Sequence, residues 1–161
     1  MIRNRVRQFF EASRQPTDDD IAFARAHLPS NLLDLFFAQH PRDIVHAVGT
    51  ARYLITHGHD EPDLITAALV HDTGKGAQRR FDRVVFVLAA GAGIAGQVAK
   101  PSSRLEWRRA AARSLHHAEA GAARLEAAGA PEHIVQLVRE HHAREGGDDM
   151  LTALQGADAA T

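Results

Sequence analysis

The chain has 161 residues, enough for one domain and too few for two of ordinary size. Its 19 Lys and Arg against 20 Asp and Glu give a formal charge of −1, so nothing favours general binding to nucleic acid or to an anionic membrane. Cysteine is absent, which excludes disulfides, thiolate metal sites, iron–sulfur clusters and a cysteine nucleophile, whereas histidine is abundant at 11 residues.

Helical spacing recurs along the chain and strand patterns are nearly absent. Residues 2–13 read as a short helix. Thr17 followed by Asp18, Asp19 and Asp20 marks the start of a second, because acidic side chains meet the free N–H groups of a first turn. That helix runs to about His27, before Pro29, and a third carries Leu32, Leu33, Leu35, Phe36 and Phe37. Pro41 opens a long helix from about Arg42 to His57, with Ile44, Val45, Val48, Ala51, Leu54 and Ile55 as its apolar stripe and Gly58 as its stop. Pro62 opens the next, ending at His71–Asp72. A single long helix is expected from Ser103 to about Ala128, stopped by Gly129. Pro131 starts another that reaches about Ala143, and Asp148 caps a last one through Asp158. Seven or eight helices without a sheet predict an all-α fold, a single compact bundle over 1–161 with an N-terminal helical extension (1–40) and a core (41–161).

The N-terminus has no continuous apolar stretch of the secretory type. The longest apolar run, Val84 to Ala99, has 16 residues interrupted by Gly91, Gly93 and Gly96, short of the roughly 20 needed to span a bilayer. It reads as a buried helix broken near its glycines, and residence in the cytoplasm is the default expectation. The same stretch contains a G-x-G-x-x-G pattern, but a dinucleotide turn needs a βαβ unit that the neighbouring segments do not supply. Small residues that permit a bend or a close helix–helix contact are the expected explanation.

Histidines and aspartates recur one helix at a time: His46, His71–Asp72, His117, His141–His142 and Asp158. Each alone reads as a packed polar side chain. As a set they match what a divalent ion wants: imidazole suits Zn, Fe, Ni and Cu, while carboxylate and water suit Mg and Mn. In an all-α bundle such a site is built from inward-facing side chains on different helices.

The order His46 … His71–Asp72 … Asp158 resembles the H…HD…D signature of the HD-domain metal-dependent phosphohydrolases, which are all-α. LVHDTGK (69–75) has the HD-x-G-K form common in that family, HAEAGA (117–122) resembles its H-x-x-x-G-A segment, and VREHH (138–142) its segment ending in His-His. These extra histidines occur in members with two metals. The resemblance spans about residues 40–160. It implies a central site for two divalent ions, of Fe, Mn, Ni, Zn or Mg. His46, His71, Asp72 and Asp158 would surround the first ion. Asp72 would bridge to a second, held also by His117 and His141. His142 is implied as a further ligand or as part of the substrate side of the site, with a catalytic part alongside Asp72 and Lys75. Lys75 would face the phosphate, and Arg42, one turn before His46, could share that anion role. His116 falls out of register with Gly121, and His27, His40, His57, His59 and His133 read as surface residues.

What the resemblance implies is hydrolysis of a phosphate ester or anhydride in a nucleotide-like or small phosphorylated substrate by metal-activated water. After His142 comes Ala143-Arg144-Glu145 with no Gly-Tyr-Pro, which argues against the cyclic-di-GMP phosphodiesterase branch. Two alternatives share the ligand set: a di-iron oxygenase resembling myo-inositol oxygenase, and a non-catalytic metal- or nucleotide-binding regulatory module.

Overall fold

The computed structural model describes residues 15–76, 89, 91–143 and 148–161, and the regular structure among them is entirely helical. α1 (Asp18–His27) starts at the acidic run. Thr17 caps it, its hydroxyl accepting from the Asp20 N–H while the Asp20 carboxylate accepts from the Thr17 N–H. α2 (Ser30–Phe37) follows Pro29, and α3 (Pro41–Thr56) and α4 (Pro62–Val70) each open with proline at the first position. Next come α5 (Ala95–Val98) and α6 (Glu106–Leu115). α7 (His117–Ala127), α8 (Glu132–Glu140) and α9 (Asp149–Ala160) complete the order. α3 and α7 stop at glycines in the left-handed region, Gly58 at φ 86° and Gly129 at φ 75°. Asp148 caps α9 by accepting from the Met150 N–H.

α4 is the centre of the assembly. It packs against α1, α2, α3, α8 and α9, and every residue from Leu64 to Val70 is buried. A helix apolar on nearly all sides is stable inside, and its one buried polar side chain, Thr66, donates to the His27 carbonyl. The surrounding helices are one-sided: α3 turns Ile44, Ala47, Val48, Ala51 and Leu54 inward, and α8 turns Ile134, Val135, Leu137 and Val138. Leu28, Leu32 and Phe36 from the α1–α2 region complete the same core, so residues before 40 pack directly onto it. Because α4 is central, the residues that follow it, His71 and Asp72, emerge in the middle of the molecule.

Two expectations are corrected. The helix expected over 103–128 is two helices, broken at His116, whose φ −112° and ψ 15° leave the helical region. In a continuous helix the Ser114 carbonyl would accept from the N–H of residue 118. Here the His117 ring takes that carbonyl instead, through Nδ1 at 2.7 Å. Ala89 is helical and buried, but from Gly91 onward the apolar run is not a buried helix: α5 buries no residue, and Ile94 is exposed. A Cβ added at Gly91, Gly93 or Gly96 would meet nothing within 4 Å, so these glycines serve no close helix contact. With only four residues and little side-chain volume, α5 has no face to bury. Residues 84–88 and 90 of the run and the helix expected over 2–13 lie outside the described residues. Among the described residues no helix is long and apolar enough to cross a membrane.

Candidate metal centre

Three histidines reach the interior from helix ends. His71 is the C-terminal cap of α4, His141 is that of α8, and His117 is the first residue of α7 after the break. Each ring is held the same way, with Nδ1 donating to the carbonyl three residues earlier: Ala68 at 2.8 Å, Ser114 at 2.7 Å and Val138 at 2.6 Å. A carbonyl can only accept, so Nδ1 carries the proton and the lone pair sits on Nε2. The Nε2 atoms of His71 and His117 face different oxygens of Asp72, and that of His141 faces His117 Nε2. Metal-binding imidazoles are oriented by hydrogen bonds of this kind.

Asp72 lies between them. Its Oδ2 is 3.5 Å from His71 Nε2 and its Oδ1 is 3.3 Å from His117 Nε2. On one side, Asp158 from α9 places Oδ1 2.8 Å from His46 Nε2 and 3.4 Å from His71 Nε2. On the other, His117 Nε2 is 3.2 Å from the Nε2 atoms of both His141 and His142. Two groups therefore arise whose ligand atoms lie within 4.8 Å of one another: His46, His71 and Asp72, and His117, His141 and His142. Five helices and two helix-end turns contribute to a site assembled from positions 112 residues apart.

The arrangement fits divalent cations. Among the described residues, His71 Nε2 and Asp72 Oδ1 are buried with no hydrogen-bond partner, a condition that costs about 1–3 kcal/mol per group. His117 Nε2 and His141 Nε2 confront each other as two acceptors. A cation in each group would satisfy these lone pairs together, and imidazole with carboxylate is a donor set for borderline divalent ions.

Charge is distributed unevenly. Burial disfavours a charged His71, but the Asp72 and Asp158 carboxylates outweigh it and hold its pKa above the ordinary value. Asp72 is buried and Asp158 half-buried, which opposes ionisation. His71, His117 and Lys75 nevertheless hold Asp72 well below the usual carboxylate range, and His46 and His71 do the same for Asp158. His141 goes the other way: burial, then the neighbouring His71 and His142 imidazoles, push it down to about 3. It is neutral at any physiological pH, the state a metal ligand needs.

His71, Asp72, His117 and His141 form a buried floor, while His46, Asp158 and Lys75 are partly exposed at the rim. Lys75 forms an ion pair with Asp72 Oδ2. His142 is exposed, and burial followed by the His117 imidazole lowers its pKa. Arg42 lies in the first turn of α3, four residues before His46, and is half-buried. His116, His27, His40, His57, His59 and His133 are exposed.

The sequence reading missed the residues that hold this site in place. Gln39 Nε2 donates to the Leu69 carbonyl at 3.2 Å and the Thr73 hydroxyl to the Val70 carbonyl at 2.9 Å, so side chains bond the last turn of α4 beside the His71 contact. Thr161 accepts or donates at 2.9 Å to Thr50, whose hydroxyl bonds the His46 carbonyl. The turn at Thr73–Gly74 runs against α7 so closely that a Cβ on Gly74 would sit 1.9 Å from the His117 carbonyl oxygen and 2.6 Å from the Gly121 nitrogen. Only glycine at 74 permits that approach, while a Cβ at Gly121 would be a tight contact, 3.3 Å from the Gly74 nitrogen. The paired G in HDTGK and in HAEAGA was visible in the chain, but nothing there said that the two touch.

A search of curated proteins and one of solved structures found no match. The family model described as HD domain matches residues 43–160, which covers all seven His and Asp positions described above. With most of its length matched and the ordered histidines and aspartates meeting in one place, the chain belongs to the HD domain family of metal-dependent hydrolases.

Proposed function

We propose that the chain is a phosphohydrolase that uses two divalent ions to hydrolyse a phosphate ester or anhydride in a nucleotide-like or small phosphorylated substrate. The observation that carries this reading is the orientation of Asp72: each of its carboxylate oxygens faces an imidazole of a different group, Oδ2 toward His71 and Oδ1 toward His117. A buried carboxylate so placed is suited to bridge two ions. His46, His71, Asp72 and Asp158 would hold the first, and Asp72, His117 and His141 the second, with His142 completing it or meeting the substrate.

Bound divalent ions supply Lewis acidity, acidifying water and offsetting charge on phosphoryl oxygens. The chain supplies the rest. Asp72 stays ionised because His71, His117 and Lys75 face it in spite of its burial, and His141 stays neutral. Lys75, half-buried at the rim, brings a mobile positive charge beside the site, suited to a non-bridging phosphoryl oxygen. Arg42 would add a second cationic contact and His142 an imidazole on the open side. Catalysis would rest on positioning and charge stabilisation, with no covalent nucleophile from the protein.

The test is elemental analysis of the purified protein with a panel of phosphomonoesters, phosphodiesters and nucleotides, assayed in Mn- and Fe-loaded forms. Phosphate release that depends on the added ion is expected. Oxygen uptake by Fe(II)-loaded protein without phosphate release would overturn the hydrolase reading in favour of an oxygenase. Nucleotide binding without turnover would overturn it in favour of a regulatory module.

A further inference from the structure

His117, Gly121 and Arg124 stand at i, i+4 and i+7 on α7 and so share one face of that helix. All three meet the turn after α4. His117 Nε2 is 3.3 Å from Asp72 Oδ1, Gly121 lies against the Gly74 nitrogen, and Arg124 Nη1 donates to the Thr73 carbonyl at 2.7 Å. The first of these is a contact within the site, and the second is bare backbone against backbone. Arg124 supplies a directed hydrogen bond from α7 to the turn, and its acceptor is the carbonyl directly after Asp72.

Resting on the two-ion reading above, we propose that Arg124 is a positioning residue that sets the separation between the halves of the site. The second group, His117, His141 and His142, meets the first through Asp72 and through the contact of the His71 and His141 rings, whose centroids are 5.2 Å apart; of these two links only the Asp72 one involves α7. His117 belongs to α7, whereas Asp72 belongs to the turn, and a half-ångström slide of one on the other changes a distance that a metal–imidazole bond holds to about 0.2 Å. None of His46, His71, Asp72 and Asp158 lies on α7, and Gln39 and Thr73 hold the end of α4 independently of Arg124, so the first group is less sensitive to that slide. Arg124 itself is exposed and its removal leaves no cavity in the core. Its loss therefore weakens the second ion selectively and spares the fold. Hydrogen bonds of this outer kind change metal affinity by about 10–100-fold when removed.

The experiment is titration of metal-free protein with Co2+, followed by calorimetry and by the visible absorption of the bound ion. Wild type is expected to take up two ions. Arg124→Met is expected to bind the first as wild type does and the second about 10–100-fold more weakly, with an unchanged thermal midpoint for the metal-free protein. Arg124→Lys, which retains a donor, is expected to recover most of that loss. Arg139 also ties to α7, through exposed Glu119 and Glu126, so Arg139→Ala is the control and is expected to bind both ions normally. A second binding step in Arg124→Met within twofold of wild type overturns the Arg124 inference alone. So does equal weakening of both steps with a lowered midpoint, which would mark a merely structural contact. Fewer than two ions in wild type overturns the two-ion reading, and the inference falls with it.

Discussion

The two halves of the centre use the same residue type under opposite electrostatics. On the His46 side, Asp72 and Asp158 surround His71 and raise its pKa despite complete burial. On the His117 side, His141 is almost as buried but has imidazoles for neighbours, and its pKa falls to about 3. Burial is nearly constant between them, so the placement of two carboxylates decides the sign. A histidine in this molecule is understood from the charges that α4 and α9 bring beside it.

The largest expected effect joins the halves. Asp72→Ala removes the carboxylate common to both, and elemental analysis is expected to show both ions lost along with activity. His117→Ala touches one half, and loss of chiefly one ion is the expected result. Wild-type metal content in both variants would show that these residues are not ligands. Next comes the backbone contact that holds the halves in register. The added methyl of Gly74→Ala meets main-chain atoms that cannot rotate away, and a destabilisation of roughly 3 kcal/mol is expected in chemical denaturation.

The opposite pKa shifts can be read directly in metal-free protein. An unfolded imidazole takes a proton near pH 6.5, whereas folded His141 does not until about 3. The unfolded state therefore binds more protons between those values, and stability is lost as pH falls from about 6.5. From pH 6.5 to 5 the loss is roughly 1–2 kcal/mol, and His141→Gln is expected to flatten it in thermal melts. His71 has the reverse sign. Its raised folded pKa contributes stability that is fully present below 6.5 and lost as pH rises through the folded value, so His71→Gln is expected to flatten the curve above pH 6.5, where His141→Gln leaves it unchanged. Parallel curves for the two variants would contradict the comparison. The smallest effect lies away from both halves. Asp20 closes the α1 capping box and pairs with Arg52 at 2.7 Å. Asp20→Ala is expected to cost about 1 kcal/mol with full metal content retained.

Much of this was legible along the chain. Thr17 with its aspartates, Pro41, Pro62, Gly58, Gly129 and Asp148 mark helix ends because capping and backbone freedom are local properties, and the observed helices begin or stop at them. The break at His116 was not legible. Leu115-His116-His117 carries no Pro or Gly, and the helix ends there because the His117 ring takes the Ser114 carbonyl. The exposed course of residues 91–98 also escaped, since apolar composition reports a preference for burial without saying whether a surface is available to receive it.

By itself, the sequence determined the helical class, most helix boundaries, and the identity and order of the histidines and aspartates, because propensity and motif spacing depend on near neighbours. Only the tertiary structure decided that His46 and Asp158, 112 positions apart, lie 2.8 Å from each other. It also decided which oxygen of Asp72 faces which imidazole, and that Gln39 and Arg124 brace the turn between them. Those outcomes follow from how helices pack around the buried α4, and packing is a property of all the faces at once.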